Sequence, residues 1–323
     1  MGVGWKVLRR VLNIAISKME PLILNIRSLR RDELEKAWEL QKKGFRCLDG
    51  ISREDYLKFR SDKKFDFDQI IVAEVEDRII GKIEVYSWKA SEKGKTGFVD
   101  GFIVDPDYRK LGVGTQLLLE AEKRAVKKGI SQIDLGAKTF CKDAIALYEK
   151  LGYTKLHRVF LMKILIGDLC VPDLPEDIIV RSAELSQDLQ KIFGLSPNAW
   201  WSRYTAQKEL KQDIQNNRDR FLVLEFRSQV GACMKFSLGK DISINSFGTS
   251  IPSVLPLVTV TKHLLKKVLD RATYQKTLEI EVDEQKRELV KVLKSLGFEN
   301  YETEYHMTKQ LGPKRGSDCQ ERR

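Results

Sequence analysis

Apolar positions along the chain recur with two periods, and their succession predicts the elements. Residues 22–28 alternate as a strand, and helical spacing follows near 31–45 and 52–60, the second opened by a capping box of Ser52 and Asp55. Two β-rich runs, 69–76 and 78–88, flank a tight turn at Glu76–Arg78, and a fourth strand runs from 96 to 104. A helix over 111–128, a strand over 131–137, a helix over 142–151 and a hairpin over 153–165 come next. Mixed strands with two late crossovers describe an α/β layer fold.

Residues 166–177 (IGDLCVPDLPED) break both periods, with two prolines and four acidic side chains, and read as a linker. Beyond it the pattern returns. Ile179-Val-Arg-Ser-Ala echoes Asn25-Ile-Arg-Ser-Leu, strands are expected at 221–226, 230–236 and 242–247, and Leu278–Val282 leads into a helix that stops at Gly297-Phe298 as the earlier one stops at Gly152-Tyr153. The chain reads as a tandem duplication of one fold. The expected organisation is an extension over 1–20, a first domain over 21–166, a linker over 167–177, a second domain over 178–311 and a tail over 312–323.

Candidate chemistry starts at residues 109–114, Arg-Lys-Leu-Gly-Val-Gly, between the apolar run 98–104 and the helix after it. Gly112 and Gly114 remove side chains that would keep an anion from the backbone, and the unpaired N–H groups of the first helical turn point at that anion with the helix dipole behind them. A dinucleotide fingerprint is excluded, because the third glycine position holds Leu117, and no Gly-Lys-Ser/Thr follows for a nucleoside triphosphate. What remains is R-x-x-G-x-G preceded by Val104-Asp105-Pro106.

This loop resembles the acyl-CoA pyrophosphate loop of the GNAT N-acetyltransferase superfamily. A second block, Ala144-x-x-Leu147-Tyr148-x-Lys150-x-Gly152-Tyr153, resembles the last block of that superfamily, in the right order and spacing, and the resemblance spans residues 22–165. It implies tandem GNAT-like domains, each a mixed, mostly antiparallel sheet flanked by helices, with acetyl-CoA as acyl donor, a primary amine as acceptor, and no metal. The backbone of Arg109, Lys110, Leu111, Gly112, Val113, Gly114 and Thr115 would hold the pyrophosphate. The pantetheine arm would lie along Phe102, Ile103 and Val104, where the fourth strand splays from the fifth at a bulge. A cofactor-contacting Asn of the family is replaced here by Cys141.

For catalysis the resemblance points to Tyr148 as general acid at the departing thiolate, a packed core tyrosine being the plainer alternative. Asp100 is the candidate base, because strand alternation puts it on one face with Phe98 and Phe102, and a carboxylate between aromatics should have a raised pKa. Glu84 is a second candidate, and for both the alternative is a carboxylate hydrogen-bonded at a sheet edge. Arg109 and Lys110 offer charge-assisted contacts to phosphate or simply face solvent. Covalent catalysis through Cys141 would want a base partner, and no histidine is near in sequence, His157 reading as structural. A binding protein that holds acyl-CoA without turnover stays open as a second class.

The second domain looks degenerate. The stretch 251–268 (IPSVLPLVTVTKHLLKKV), in the place of the phosphate loop, has two prolines and no glycine, and Leu293 stands where Tyr148 would be. Only one cofactor site per chain is therefore expected. Trp200-Trp201 with Arg203 and Tyr204 could stack a ligand, though a core or inter-domain helix explains them as well.

Composition adds bounds. The 323 residues suffice for two domains. Of the net charge of +11, residues 1–20 and 312–323 supply +5, which weighs against a nucleic-acid face, and the rest can help to draw in an anionic cofactor. Five scattered cysteines and three isolated histidines show no metal-ligand spacing and suit a reducing, cytoplasmic setting. No apolar run reaches a membrane span, and residues 1–18 form a short basic amphipathic stretch.

Overall fold

The computed structural model describes residues 24–44, 53–61, 65–91, 94–169, 178–199, 207–250 and 256–312. The extension over 1–20, Ser52, most of the linker, Trp200–Tyr204 and the tail beyond Gly312 lie outside the described residues.

The chain divides into two compact units that are not consecutive stretches of sequence. Unit 1 comprises 1–135, 146–154 and 308–323, and unit 2 comprises 136–145 and 155–307. Each takes in chain from both halves of the sequence.

In unit 1, β1 (Asn25–Ser28), β2 (Ile70–Val75), β3 (Arg78–Ser91) and β4 (Gly94–Val104) are antiparallel neighbours, and β5 (Ile130–Lys138) runs parallel to β4. Helices α1 (Leu34–Gly44) and α2 (Arg53–Ser61) cover one face, where Trp38, Tyr56, Ile70, Val72 and Ile103 form a core. Helix α3 (Val113–Lys127) covers the other, burying Val113, Leu117, Leu118, Ala121 and Ala125 as one stripe. A Cβ on Gly81 would sit 2.8 Å from the Leu117 side chain, so this glycine lets α3 settle on β3. Covered on both faces, β2 reads as a continuous apolar run rather than an alternating one. The C-terminal segment completes the unit, with the Leu311 N–H donating to Ser131 O at 2.7 Å.

Helix α4 (Lys142–Lys150) leads to β6 (Thr154–Leu165). The hairpin expected over 153–165 is a single strand instead. No Gly, Pro, Asn or Asp interrupts residues 154–165 to turn the chain. From Val159 to Leu165 the strand instead pairs antiparallel with β12 (Thr277–Asp283).

Unit 2 follows the same plan. Strands β7 (Ile178–Ser182), β9 (Phe221–Phe226), β10 (Gln229–Leu238) and β11 (Ile242–Thr249) are antiparallel neighbours, and β12 runs parallel to β11. Helices α5 (Leu185–Phe193) and α6 (Gln207–Asn216) cover one face through Ile192, Leu210 and Ile214. Helices α7 (Leu257–Leu269) and α8 (Arg287–Ser295) cover the other through Val260, Leu264 and Leu293. A two-residue strand, β8 (Ser196–Pro197), pairs with the end of β11.

The duplication shows in one repeated ion-pair clamp. In unit 1, Arg27 on β1 bonds Glu33 at 2.7 Å and Glu74 on β2 at 2.8 Å, and Glu33 also accepts the Arg30 N–H. In unit 2, Arg181 on β7 bonds Asp188 at 2.6 Å and Glu225 on β9 at 2.9 Å, and Asp188 accepts the Glu184 N–H. Each guanidinium ties its unit's first strand to the neighbouring strand and to the first helical turn that follows it.

Candidate active site

Unit 1 has an opening in its sheet. The parallel ladder between β4 and β5 pairs Lys95 with Ile130 and ends at Val99 with Leu135, yet β4 continues to Val104. At the same place β4 bulges against β3. Glu84 faces Asp100 and Lys82 faces Ile103, so Gly101 and Phe102 together oppose the single residue Ile83. Gly101 takes a left-handed φ of +52°, and the Asp100 carboxylate accepts its N–H at 2.7 Å.

The bulge corrects the expectation that Asp100 and Phe102 share a face. The extra residue shifts the alternation, so Asp100 stands with Glu84, Lys82 and Ile103 on the face covered by α1 and α2. Phe102 points to the face of α3 and α4, where its ring centroid lies 6.0 Å from that of Tyr148. Asp100 and Phe98 do share a face, through their cross-strand partners Glu84 and Tyr86.

On the α3–α4 face, Tyr148 is buried in an aromatic row with Phe102 and Tyr153, the latter at 5.8 Å. Gly114 brings α3 against this row, since a Cβ there would lie 3.2 Å from Leu147 and 3.5 Å from Phe102. It therefore serves close packing of the helix, whereas Gly112 alone meets the sequence argument for an exposed cradle. Gly112 has φ +84° with nothing within 4 Å of a Cβ, and it starts α3 with no side chain capping the first turn. The N–H groups of Val113, Gly114 and Thr115 begin a 15-residue helix, the arrangement that suits an anion.

The loop ahead of that helix is anchored from below. Asp105, 1% exposed, accepts from Lys43 at 2.6 Å, from Arg78 at 2.9 Å and from the Asp107 N–H at 3.1 Å. The Arg109 guanidinium donates to Val104 O and Gly44 O, both at 3.1 Å, so it holds the end of β4 to the end of α1. Lys110 is exposed with φ +63°, and Leu111 is half-buried. Cys141 falls in unit 2 at the start of α4, where its N–H donates to Lys138 O and its C=O accepts from the Ile145 N–H.

On the α1–α2 face lies a buried charge cluster that sequence reasoning missed. Lys82 and Glu84 are fully buried and paired, and Arg60 bonds Glu84 at 2.7 Å. Tyr86 donates to the same carboxylate, Lys82 lies 3.2 Å from the Tyr56 hydroxyl, and the Arg60 guanidinium stacks 3.8 Å over the Tyr56 ring. Burial opposes the Glu84 charge, but Lys82 and Arg60 outweigh it and hold the carboxyl below its ordinary range. Glu84 is thus a fixed anion rather than a proton acceptor. The available signal was Lys82 and Glu84 two residues apart within an apolar strand, two opposite charges on one face.

Asp100 differs. It is exposed, yet the desolvating protein around its carboxylate together with the Glu84 charge raises its pKa. Among the described residues no group of His, Cys, Asp and Glu side chains is arranged to hold a metal ion, and no helix is long and apolar enough to cross a membrane.

Residues 34–153 match the acetyltransferase (GNAT) family. This segment belongs to the GNAT family. An uncharacterized N-acetyltransferase of Methanocaldococcus jannaschii is 31% identical over 137 residues, covering 40% of this chain and 59% of that protein. Among solved structures, a GCN5-related N-acetyltransferase from Sphaerobacter thermophilus superposes with TM-score 0.68 at 14% identity, over 90% of this chain and 96% of its own. A tandem GNAT protein from the clavulanic acid biosynthesis pathway superposes with TM-score 0.66 at 14% identity, over 92% and 100%. The GNAT fold in tandem is therefore the fold of this chain.

Proposed function

We propose that the chain is an acetyl-CoA-dependent N-acetyltransferase, with its one acyl-CoA site in unit 1 and a primary amine as acceptor. One observation carries the reading: the β4–β5 ladder ends where Asp100 faces one side of the sheet and Phe102, next to Tyr148, faces the other. An opening there lets an amine and a thioester approach from opposite faces and meet. The uncapped start of α3, with Gly112 opening it to solvent, fits the pyrophosphate, and the β4 edge at Phe102, Ile103 and Val104 fits an extended amide-bearing arm.

In this reading Asp100 takes the proton of the incoming ammonium, helped by its raised pKa, and the amine nitrogen bonds to the acetyl carbonyl carbon. The carbon–sulfur bond then breaks, the Tyr148 hydroxyl supplies a proton to the leaving thiolate, and the second proton of the amine nitrogen, released as the amide forms, restores the Tyr148 phenol through solvent. Backbone N–H groups of the β4 edge polarise the carbonyl. Arg109 acts first as a brace of the loop, and Lys110 is the side chain placed to meet phosphate charge. Cys141, which replaces the family's cofactor-contacting Asn in sequence, has no nucleophilic role in this reading.

The test is release of free CoA thiol from acetyl-CoA across a panel of amines, with wild type, Tyr148→Phe and Gly112→Asp. Turnover that falls in both variants supports the enzyme. Binding of acetyl-CoA without turnover on any amine would establish the second class, a non-catalytic acyl-CoA-binding protein.

A further inference from the structure

The sheet of unit 2 opens in the same way as that of unit 1. The parallel ladder of β11 with β12 pairs Ile242 with Leu278, Ser243 with Glu279 and Ile244 with Ile280, then ends, while β11 runs on to Thr249 and β12 to Asp283. Here the chain fills the opening itself. Ser196 and Pro197 pair antiparallel with Thr249 and Gly248. Asn198 then spans the gap: its Oδ1 accepts the Phe247 N–H at 2.7 Å, its Nδ2 donates to Glu281 O at 2.5 Å, and its C=O accepts the Asp283 N–H at 3.0 Å. One residue thus bonds the backbones of both diverging strands, and it is 2% exposed.

The neighbouring residues are shaped to seat this segment. A Cβ on Gly248 would lie 3.0 Å from the Leu195 Cβ and 3.1 Å from the Cys233 sulfur, so only glycine lets Leu195 come this close to β11. Lys286 holds the other side through Ser196 Oγ at 2.5 Å, and Ala199 is fully buried. An amide side chain and a main-chain carbonyl that reach both strands do what an extended amide ligand would have to do in such an opening.

We propose that residues 195–199 are a built-in ligand of unit 2, a segment of its own chain that occupies the interstrand opening and excludes any pantetheine-like arm from it. The statement about pantetheine rests on the acyl-CoA reading of unit 1, whereas the occupancy of the opening does not. The degeneracy of the second half is then more than loss of glycines: restoring a glycine loop there would not restore a site.

Two measurements test this on the full chain. The first is amide hydrogen exchange at Phe247 and Asp283. Both amides should be protected in wild type; Asn198→Ala removes the side-chain acceptor of the Phe247 N–H and the bond to Glu281 O but keeps the carbonyl that holds Asp283, so exchange should speed about tenfold at Phe247 and less at Asp283. Gly248→Ala, which displaces Leu195 while keeping Asn198, should expose the same two amides and serves if Asn198→Ala fails to fold. Unprotected amides in wild type, or unchanged exchange in both variants, would overturn the proposal. The second is acetyl-CoA stoichiometry by calorimetry: one per chain in wild type and none in Gly112→Asp. A second equivalent that survives Gly112→Asp overturns the exclusion. If no acetyl-CoA binds to any form, the reading of unit 1 fails, and the exchange data still decide the occupancy of unit 2.

Discussion

Two glycines of unit 1 share a left-handed backbone but differ in their surroundings, and that contrast gives a quantitative test. At Gly101 φ is +52°, and a Cβ would lie 3.0 Å from Glu84 Oε1 and 3.1 Å from Lys82 Nζ. Those atoms cannot yield easily, since Lys82 and Glu84 are fully buried and tied to each other, Arg60 and the tyrosines. At Gly112 φ is +84°, and a Cβ meets nothing within 4 Å. Replacing Gly112 by Ala should therefore cost only the left-handed backbone, about 1–2 kcal/mol. Gly101→Ala should cost that plus crowding of a packed site, about 1–3 kcal/mol more. Urea unfolding of the full chain, read as the difference between the two variants in one transition, isolates the crowding. Equal losses would refute the claim that Gly101 is required by the charge cluster beneath the bulge.

Further outcomes follow from the site and the clamps. Tyr148→Phe keeps the aromatic row and should lower kcat by about 100-fold with acetyl-CoA affinity unchanged, as measured by steady-state kinetics beside calorimetry; a normal kcat would remove its acid role. The acid limb of kcat/KM should lie above the usual carboxylate range, because Asp100 must lose its proton to act and its pKa is raised, and Glu84→Gln should move that limb to lower pH. A limb that ignores both residues would eliminate Asp100 as the base. Glu74 is held at about 2 by its bonds to Arg27, well below its unfolded value, so its contribution to stability is full above about pH 5 and is lost as pH falls toward 2. Discounted for screening, this amounts to on the order of 2 kcal/mol, and Arg27→Met should flatten that part of the stability–pH curve. The Cys233 thiol, pushed up to about 12 by burial, should resist thiol reagents in the native protein and react only on unfolding.

Local pattern made much of this legible. The start of α3 at the glycine pair, the stop of α4 at Gly152 and the repeat of the plan after the linker are all written in spacing and turn residues. The faces around Asp100 were not, because alternation assumes an unbroken ladder and the glycine that breaks it, Gly101, was available as a warning but read as part of a strand. The hairpin expected after α4 failed for a related reason: residues 154–165 contain no turn residue, and only a long-range partner, β12, decides what such an apolar run does. The spacing of Lys82 and Glu84 was visible, but the closure of their site by Arg60 and Tyr56 and the seating of Asn198 depend on contacts far apart in sequence. No window of local periodicity could reveal either.

The twin guanidinium clamps separate what the two halves share from what they do not. In one half Arg27 reaches a glutamate six residues on; in the other Arg181 reaches an aspartate seven residues on, a shorter acid met by one more residue of chain. Both close the same corner of the same sheet. The halves differ instead at the start of the crossover helix and in the fate of the interstrand opening. Within one polypeptide, then, unit 2 acts as an internal control for unit 1: an architecture that folds with its clamp intact and its cleft filled. Any property that the clamp variants alter in both units belongs to folding, and any that only unit 1 variants alter belongs to the ligand.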